Sequence, residues 1–383
     1  MSLVERCALV LIALTVALPA AAQQRAARAI GKPLAEFDEP FTGPLRLVEL
    51  RDGRLLVHDG GEKRLVIADF ATGDVSDAAR LGAGPLEFQT ATALLRGPGD
   101  SIRLHDLVQS RVLLLSPEGK PLRTEPFAKA NDMMAMLKRP LVRETDRVGT
   151  TYAELREMAI EGGKMTMSDS VVLIRAKSNG KADTLAKMPS YLTSPEMTGS
   201  SIKLRFPGFP PMDAWGVFPD GRVLIVRGTT YTPEIHLADG TKRTAPAIAF
   251  PVVRVTADDR KKLMDELRGG IEKAMAGARS MAADAPSGFQ MPKIELIEPE
   301  WQTHKPPLAG TVILVDGKNR AWVPALGATS TAVRFDLLDA DGRAVDSIAL
   351  PDGAALLGFG KGVVYVSRKD ADDLLYVQRY ALP

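Results

Sequence analysis

The stretch LLVHDGGEKRLVIAD, residues 55–69, returns in altered form as IRLHDLVQSRVLLLS, residues 102–116. Each copy contains a His-Asp pair, four further residues, an Arg and an apolar run. The copies are about 47 residues apart, and a repeat period of about 40 to 50 residues is typical of propellers and solenoids. The repetition therefore favours a fold built from copies of one sheet unit.

Five clear units of this kind can be aligned along the chain. In each unit, runs rich in Val, Ile and Leu are separated by short turn pairs that contain Gly. Asp-Gly pairs between apolar runs are strong hairpin signals, because Gly accepts a positive φ and Asp bonds the backbone of its own turn. The clearest turn pairs are Asp52-Gly53, Glu118-Gly119, Asp220-Gly221, Asp239-Gly240, Asp316-Gly317 and Asp341-Gly342.

A sixth, degraded unit lies within residues 132–189, where SDSVVLIRAKSNGKADTLAKM predicts an outer hairpin around Asn179-Gly180. Six units of four strands predict an all-β fold, a six-bladed β-propeller with four-stranded antiparallel blades. The alternative is a parallel α/β sheet, but the amphipathic helices that it requires between strands are absent from the sequence.

Closure of the ring needs one more strand. The last unit supplies only three strands, at about residues 355–359, 363–368 and 374–381. The segment RAIGKPLAEF, residues 28–37, precedes the first unit and is the natural fourth strand. Because an unpaired sheet edge is a liability, we expect the two ends of the chain to complete one blade.

A helical insertion at about residues 255–306 interrupts the repeat between the fourth and fifth blades. Thr256, three residues before Asp259, predicts a capping box at the start of the helix. Gly269-Gly270 allows a kink or a division into two shorter helices. The helically spaced apolar residues predict packing on the propeller, with partner binding as the alternative. This apolar stripe consists of Leu263, Leu267, Ile271, Met275 and Ala278.

The first residues, MSLVERCALVLIALTVALPAAAQQ, have the pattern of a secretory signal peptide. A charged start precedes an apolar run of about a dozen residues and a small-residue cleavage site, whereas a membrane span requires about 20 apolar residues. We predict a signal peptide at residues 1–22, a propeller domain at residues 23–383, and export to the periplasm or the extracellular space.

The composition restricts the classes of function. The only cysteine, Cys7, lies in the predicted signal peptide, so we expect no disulfides in the exported chain. A net charge of +2 gives no case for nucleic-acid binding, which requires clustered basic charge. No other apolar stretch reaches the length of a membrane span.

Four further segments carry a family resemblance. They are GAGPLEF (82–88), WGVFPDGRVLIVRGTTY (215–231), FPVVRVTADDR (250–260) and DGKNRAWVP (316–324). Together they resemble a family of exported bacterial six-bladed propellers that is distantly similar to NHL-repeat proteins. The likeness covers almost the whole chain after the predicted signal peptide. It implies the fold and export, and it implies no reaction.

The repeated motif places the same residue types in two successive units, and these are His58, Asp59, Arg64, His105, Asp106 and Arg111. Each Asp is predicted to end a second strand and each Arg to begin a third strand. The structural interpretation is an Asx-type turn in which an Asp–Arg pair closes the hairpin. The functional interpretation is a ligand site on the loop face, since Arg forms charge-assisted bonds with a carboxylate or a peptide terminus.

Enzyme chemistry finds little support in the sequence. A serine hydrolase requires a Gly-x-Ser-x-Gly elbow, which is absent, and the four histidines lack the ligand spacing of a zincin. A calcium-dependent lactonase of the propeller type would need acidic and amide side chains around the central channel. The predicted inner strands offer Glu49 but otherwise mostly apolar and small residues, such as Thr90, Thr92, Val217 and Ile313.

A Met-rich region raises the hypothesis of copper binding, because thioethers are soft ligands for cuprous ion. Its methionines are Met133, Met134, Met136, Met165 and Met167. Met also fills irregular contacts in cores and loops, and this second interpretation is favoured.

The sequence therefore predicts a non-catalytic binding or scaffold propeller for an envelope or secreted protein, or for a small ligand, at the loop face. The six motif residues are the candidate binding residues. We expect no cofactor, no metal, no nucleic acid, no membrane span after signal removal, and a monomer. A calcium-dependent lactonase-like hydrolase is the alternative function, followed by a copper-binding protein.

Overall fold

The computed structural model of the protein describes residues 26–126, 140–161, 164–177, 180–191, 196–198, 201–281, 293–326 and 333–383. The predicted signal peptide and three of the methionines, Met133, Met134 and Met136, lie outside the described residues. The described chain folds as a six-bladed β-propeller with four-stranded antiparallel blades, which confirms the predicted fold.

Two short strands, β1 (Arg28–Ala29) and β2 (Ala35–Glu36), precede the first blade. Blade 1 consists of β3 (Leu45–Glu49), β4 (Leu55–Asp59), β5 (Arg64–Ala68) and β6 (Val75–Ala79). Blade 2 consists of β7 (Ala91–Arg96), β8 (Ile102–Asp106), β9 (Arg111–Leu115) and β10 (Pro121–Pro126), with a short 3-10 turn at Pro98–Asp100. Blade 3 consists of β11 (Leu141–Thr145), β12 (Thr151–Glu161), β13 (Lys164–Ala176) and β14 (Ala182–Pro189).

The second half of the chain adds an accessory layer to its blades. Strands β15 (Glu196–Thr198) and β16 (Ser201–Arg205) precede blade 4, which consists of β17 (Ala214–Val217), β18 (Val223–Arg227), β19 (Thr232–His236) and β20 (Lys242–Thr244). Helix α1 (Ala257–Met281) and strand β21 (Lys293–Ile297) follow. Blade 5 consists of β22 (Leu314–Val315), β23 (Ala321–Ala325), β24 (Arg334–Leu338) and β25 (Ala344–Ala349). Blade 6 contains β26 (Ala355–Gly360), β27 (Val363–Lys369) and β28 (Leu375–Ala381).

The N-terminal segment closes the ring, as predicted, but it does so with two strands instead of one. Strand β2 pairs antiparallel with β28 as the outer strand of blade 6, and β1 pairs in parallel with β25 of blade 5. Glu36 forms a double hydrogen bond with Arg368, at 2.7 and 2.9 Å, which lowers the pKa of that carboxyl. Phe37 is only 2% exposed. One segment therefore fastens two neighbouring blades.

The apolar core lies between the blades. Because each blade packs a face on each neighbour, the alternating side chains of a strand are buried on both sides. One apolar cluster joins blades 4 and 5 around Tyr231, and another joins blades 5 and 6 around Trp322. A third joins blades 6 and 1 around Tyr365. Burial of such aromatic side chains contributes about 1.5 to 3 kcal/mol each.

Polar groups also tie neighbouring blades together. Tyr231 of blade 4 donates to the Asp336 carboxylate of blade 5 at 2.7 Å, and Arg334 holds the other oxygen of that carboxylate at 2.6 Å. Ser347 donates to the same oxygen at 2.8 Å. All four residues are buried, so the network compensates its own charges and hydrogen-bonding groups.

The Asp-Gly turns lie where the sequence predicts them. Gly221 has φ +82°, in the left-handed region that favours glycine, and a Cβ there would lie 3.2 Å from the hydroxyl of Tyr152. That hydroxyl donates to the Gly221 carbonyl at 3.1 Å and so links blade 3 to blade 4. The turn therefore has a role in blade packing as well as in reversing the chain.

In the described part of the insertion, α1 is one continuous helix with no division at Gly269-Gly270. The predicted capping box is confirmed, because Thr256 Oγ1 accepts from the Asp259 backbone at 3.1 Å while the Asp259 carboxylate accepts from the Thr256 backbone at 3.0 Å. Burial alone would raise the pKa of Asp259, but Lys305 at 2.6 Å and Thr256 lower it to about 2. The ion pair anchors the start of the helix to the returning chain.

All inner strands run away from one face of the propeller. Leu45 at the start of β3 lies opposite Asp59, and Ala91 at the start of β7 lies opposite Asp106. The loops between second and third strands therefore share a face with the entries to the inner strands, and we call this the loop face. The insertion and the paired strands β15, β16 and β21 belong to connections that enter inner strands, so they lie on the loop-face side of blades 3 to 5.

Candidate functional site

Asp59 of the repeated motif braces the entry to blade 1. Its Oδ2 accepts from the Thr42 backbone at 2.9 Å and from the Thr42 hydroxyl at 3.3 Å. Its Oδ1 accepts from the Gly61 backbone at 2.8 Å, which is the predicted Asx turn. With 1% exposure, the carboxylate is fully committed to these contacts.

Asp106 plays the same part in blade 2. Its two oxygens accept from the backbone of Gln89 at 2.8 Å and of Thr90 at 3.2 Å, just before the inner strand. Gln109 adds backbone and side-chain donors at 3.3 and 3.2 Å. The repetition of the motif therefore reflects a structural unit that ties each hairpin loop to the chain entering its blade.

Asp and Arg of each copy face each other in register at the end of the hairpin, as predicted, but their side chains do not form the expected ion pair. Arg64 pairs instead with Glu62 at 3.2 Å and Glu39 at 3.4 Å. Arg111 donates to backbone carbonyls of the preceding connection, at 2.5 Å to Gly84 and 2.7 Å to Glu87. The physical reason is that each Asp is occupied by backbone N–H groups behind the loop, which leaves the Arg to bind the adjacent connection.

The motif histidines lie in the interior. His58 and His105 are 3% and 4% exposed. Burial, together with a nearby arginine in each case (Arg46 and Arg103), lowers the pKa of both imidazoles to about 4. They are therefore neutral at physiological pH and add no positive charge to the loop face. The ligand role of the motif stays a prediction, and it concerns Arg64 and Arg111.

Replacement of Asp59 by Ala should destabilise the protein by about 2 to 3 kcal/mol, because it removes a buried carboxylate that accepts hydrogen bonds from the backbones of Thr42 and Gly61. Asp106→Ala should behave alike. Arg64→Ala should cost roughly 0 to 1 kcal/mol, as exposed ion pairs do. Urea denaturation measures all three. A loss below about 0.5 kcal/mol for Asp59→Ala would contradict the bracing role.

The central channel forms a cavity lined by described residues. The six inner strands line it, and its volume is about 880 Å³. Small-molecule sites usually measure roughly 300 to 1,000 Å³ and combine apolar walls with a few converging polar groups. Most lining residues are apolar or small, as the sequence predicts, but the inner strand of the degraded blade 3 adds Arg143 and Glu144 to the wall.

Arg46 lines the channel at its loop-face end, opposite His58 in the register of blade 1. Its guanidinium is partly buried and makes no ion pair or hydrogen bond with any residue in the described parts of the chain. Burial and the charge of Arg143 both lower the pKa of Arg46. An unpaired, partly desolvated cation is unfavourable for folding. The contacts of Arg46 with the described residues therefore do not account for a positive charge at this position.

Arg143 reaches the channel through a β-bulge. Val142 pairs with Ala153 and Glu144 with Tyr152, so Arg143 is the extra residue of the inner strand. Bulges re-aim side chains and are frequent near functional sites. Arg143 Nη2 lies 3.5 Å from Glu154, while its Nε is buried without a partner among the described residues.

Glu154 offsets the charge of Arg143. Its other oxygen accepts from the indole of Trp215 at 2.9 Å, so a residue of blade 4 fixes its position. Glu144, the neighbour of Arg143, also lines the channel. Burial raises the pKa of the Glu144 carboxyl to about 7, which favours its neutral form. The loop-face end of the channel therefore has a surplus of positive charge.

Glu49, the acidic residue that the sequence singled out in the channel, has a structural role. One carboxylate oxygen accepts from the Tyr365 hydroxyl at 2.5 Å, and the other accepts from the Lys361 backbone at 2.8 Å. Both donors belong to blade 6, so Glu49 links the first and last blades of the ring. The Glu49 carboxylate therefore stabilises the closure of the ring of blades.

In the described parts of the chain, no group of three or more His, Cys, Asp or Glu side chains is placed to hold a metal ion. None of the helical residues there forms a segment with the length and apolarity to cross a membrane.

Comparisons with known proteins add likenesses of overall fold. No family model and no curated protein matches the sequence. A member of the DUF4221 family from Bacteroides vulgatus is 10% identical over 91% of this chain and 94% of its own, with a TM-score of 0.46. A PQQ-bound aldose sugar dehydrogenase from Streptomyces coelicolor is 11% identical over 92% and 98%, with a TM-score of 0.44. An inactive virginiamycin B lyase from Staphylococcus aureus is 11% identical over 92% and 99%, with a TM-score of 0.39.

These likenesses are too distant to carry a function to this chain. The fold assignment rests on the pairing of the chain's own strands into six blades around one channel. The fold and the channel together define a six-bladed propeller whose axial channel carries charged side chains toward both ends, with Arg46 and Arg143 toward the loop face.

Proposed function

We propose that the protein is a non-catalytic binding propeller that holds a small ligand at the loop-face end of its central channel. The observation that carries the proposal is Arg46, a partly buried guanidinium in the channel wall with no partner among the described residues. A bound ligand supplies the missing partner. The loop-face location agrees with the sequence-based hypothesis, while the binding residues move from the loops into the channel.

The composition of the channel wall favours binding over covalent catalysis. The described residues that line it include no histidine, serine or cysteine. Nucleophilic catalysis usually pairs such a nucleophile with an adjacent base. Apolar side chains of several inner strands, among them Val142, Val217 and Phe359, supply contact surface for the body of a ligand. The same proposal includes export to the envelope or beyond. It also includes binding of a protein at the loop face.

A channel-blocking variant tests the proposal. Val312 lines the channel and is 47% exposed, so Val312→Trp should narrow the channel without disturbing the core. Val148, 75% exposed and outside the channel wall, gives the matched control Val148→Trp. The proteins are screened by thermal shift against monocarboxylates, phosphate monoesters, neutral sugars and amines.

We expect at least one class to stabilise the parent protein, by about 2.7 kcal/mol when the ligand reaches 100 times its Kd. Val312→Trp should lose this response and Val148→Trp should keep it. An equal response in both variants, or no response to any class, would contradict binding in the channel.

Binding of a protein partner is tested separately with an Arg64→Ala, Arg111→Ala double variant. If this variant captures the partner protein as well as the parent does, the outer loops are not the binding surface.

A further inference from the structure

We propose that the ligand is an organic monocarboxylate whose carboxylate binds the Arg46 guanidinium, with Arg143 beside it. This inference rests on the proposed channel site. The geometry brings these two arginines from different blades to one end of one cavity. A guanidinium presents a planar fork of donors that matches a carboxylate, and such charge-assisted pairs are the strong hydrogen bonds of proteins.

The positive charges of the two arginines are offset by acidic partners to different degrees. Arg143 has Glu154 at 3.5 Å, whereas Arg46 has no acidic partner among the described residues. Burial and, in second place, the charge of Arg143 lower the pKa of Arg46, so the two cations disfavour each other. An anion between them would offset both the desolvation and the repulsion. Apart from the contact of Nη2 with Glu154, the Arg143 guanidinium has no hydrogen-bond partner among the described residues.

The charge balance selects a monoanion. With Glu154 offsetting Arg143, one positive charge is left at Arg46. Burial raises the pKa of Glu144 in the same wall, which disfavours a negative charge there. A dianion such as a phosphate monoester would therefore leave net negative charge in a desolvated place, which is unfavourable. A single carboxylate brings the site close to neutrality.

The test uses calorimetric titration with matched probes. Benzoate and gluconate are monocarboxylates with an apolar and a hydroxylated body; benzamide is the neutral counterpart of benzoate, and phenyl phosphate is the dianionic one. We expect at least one of the two carboxylates to bind, benzamide not to bind, and phenyl phosphate to bind more weakly. Arg46→Met should weaken carboxylate binding roughly ten- to hundredfold, the effect of one charge-assisted bond. Arg64→Met, on the outer loop, should leave it unchanged.

Melting of the unliganded variant separates a ligand-binding role from a structural one. Because Arg46 has no described partner to lose, Arg46→Met should melt at the same temperature as the parent or higher. A melting temperature lowered by several degrees would assign Arg46 a structural role and overturn the inference. Binding of neutral sugars or amines alone, lost in Val312→Trp, would overturn the monocarboxylate inference while sustaining the channel site. Failure of every probe in both experiments would overturn the channel site itself.

Discussion

Deletion of residues 23–37 is expected to destabilise the protein by at least several kcal/mol, a large share of the roughly 5 to 15 kcal/mol available to a typical domain. The deletion removes β1 and β2, and with them the outer edge of blade 6 and the added edge of blade 5. It also removes Phe37, which is 2% exposed, and Ile30, which is 8% exposed. Thermal and urea denaturation of the purified variant measure the loss.

Two point variants in the same segment sharpen this expectation. Phe37→Ala should cost about 3 to 5 kcal/mol, as deletion of a buried aromatic side chain does. Leu34 is 60% exposed, so Leu34→Ala should change stability by no more than about 0.5 kcal/mol. A truncated protein that melts within a degree or two of the parent would show that the segment is a tail and that the ring closes without it.

Replacement of Asp336 by Ala is expected to cost about 3 to 5 kcal/mol, because removal of one partner leaves the buried charge of Arg334 uncompensated. Arg334 is 7% exposed and holds Asp336 through two hydrogen bonds, at 2.6 and 3.0 Å. The variant also leaves the buried hydroxyl of Tyr231 without its acceptor. Burial and the neighbouring Asp336 raise the pKa of this hydroxyl well above its usual value. Urea denaturation measures the loss.

Tyr231→Phe provides the matched control, since it removes one hydrogen bond from the network and leaves the ion pair in place. It should cost about 0.5 to 1.5 kcal/mol. Equal losses for Asp336→Ala and Tyr231→Phe would contradict the argument that the unpaired charge, and not the missing hydrogen bond, dominates. The effect matters for the ring as a whole, because this network joins blades 4 and 5.

The architecture could be predicted because its signals are local. Gly at a turn position and alternating apolar residues act within one hairpin, so the strands of blade 6 agree with their predicted bounds to about one residue. The capping box of α1 is local in the same sense. The outer hairpin of blade 3 was also predicted correctly, since its Asn179-Gly180 turn signal survives in a unit that is otherwise degraded.

The site could not be predicted, because it depends on contacts that are distant in the sequence. The inner strand of blade 3 is the short segment LVRET, which carries charges where a strand signal requires apolar residues. Its bulge at Arg143 follows from its register with β12 and not from its residue types. The contact of Asp59 with Thr42, across 17 positions, likewise has no local pattern. The sequence therefore located the repeated motif without showing that its carboxylates are used in bracing.

Anomalous diffraction from crystals soaked in sodium bromide tests the central claim most directly, because bromide is a monovalent anion whose position can be measured without assumptions about the ligand's body. Binding in the channel predicts a bromide peak beside the Arg46 guanidinium, near Arg143, and its disappearance in Arg46→Met. Bromide peaks confined to the outer surface, with none in the channel, would contradict an anion site at the axis of the propeller.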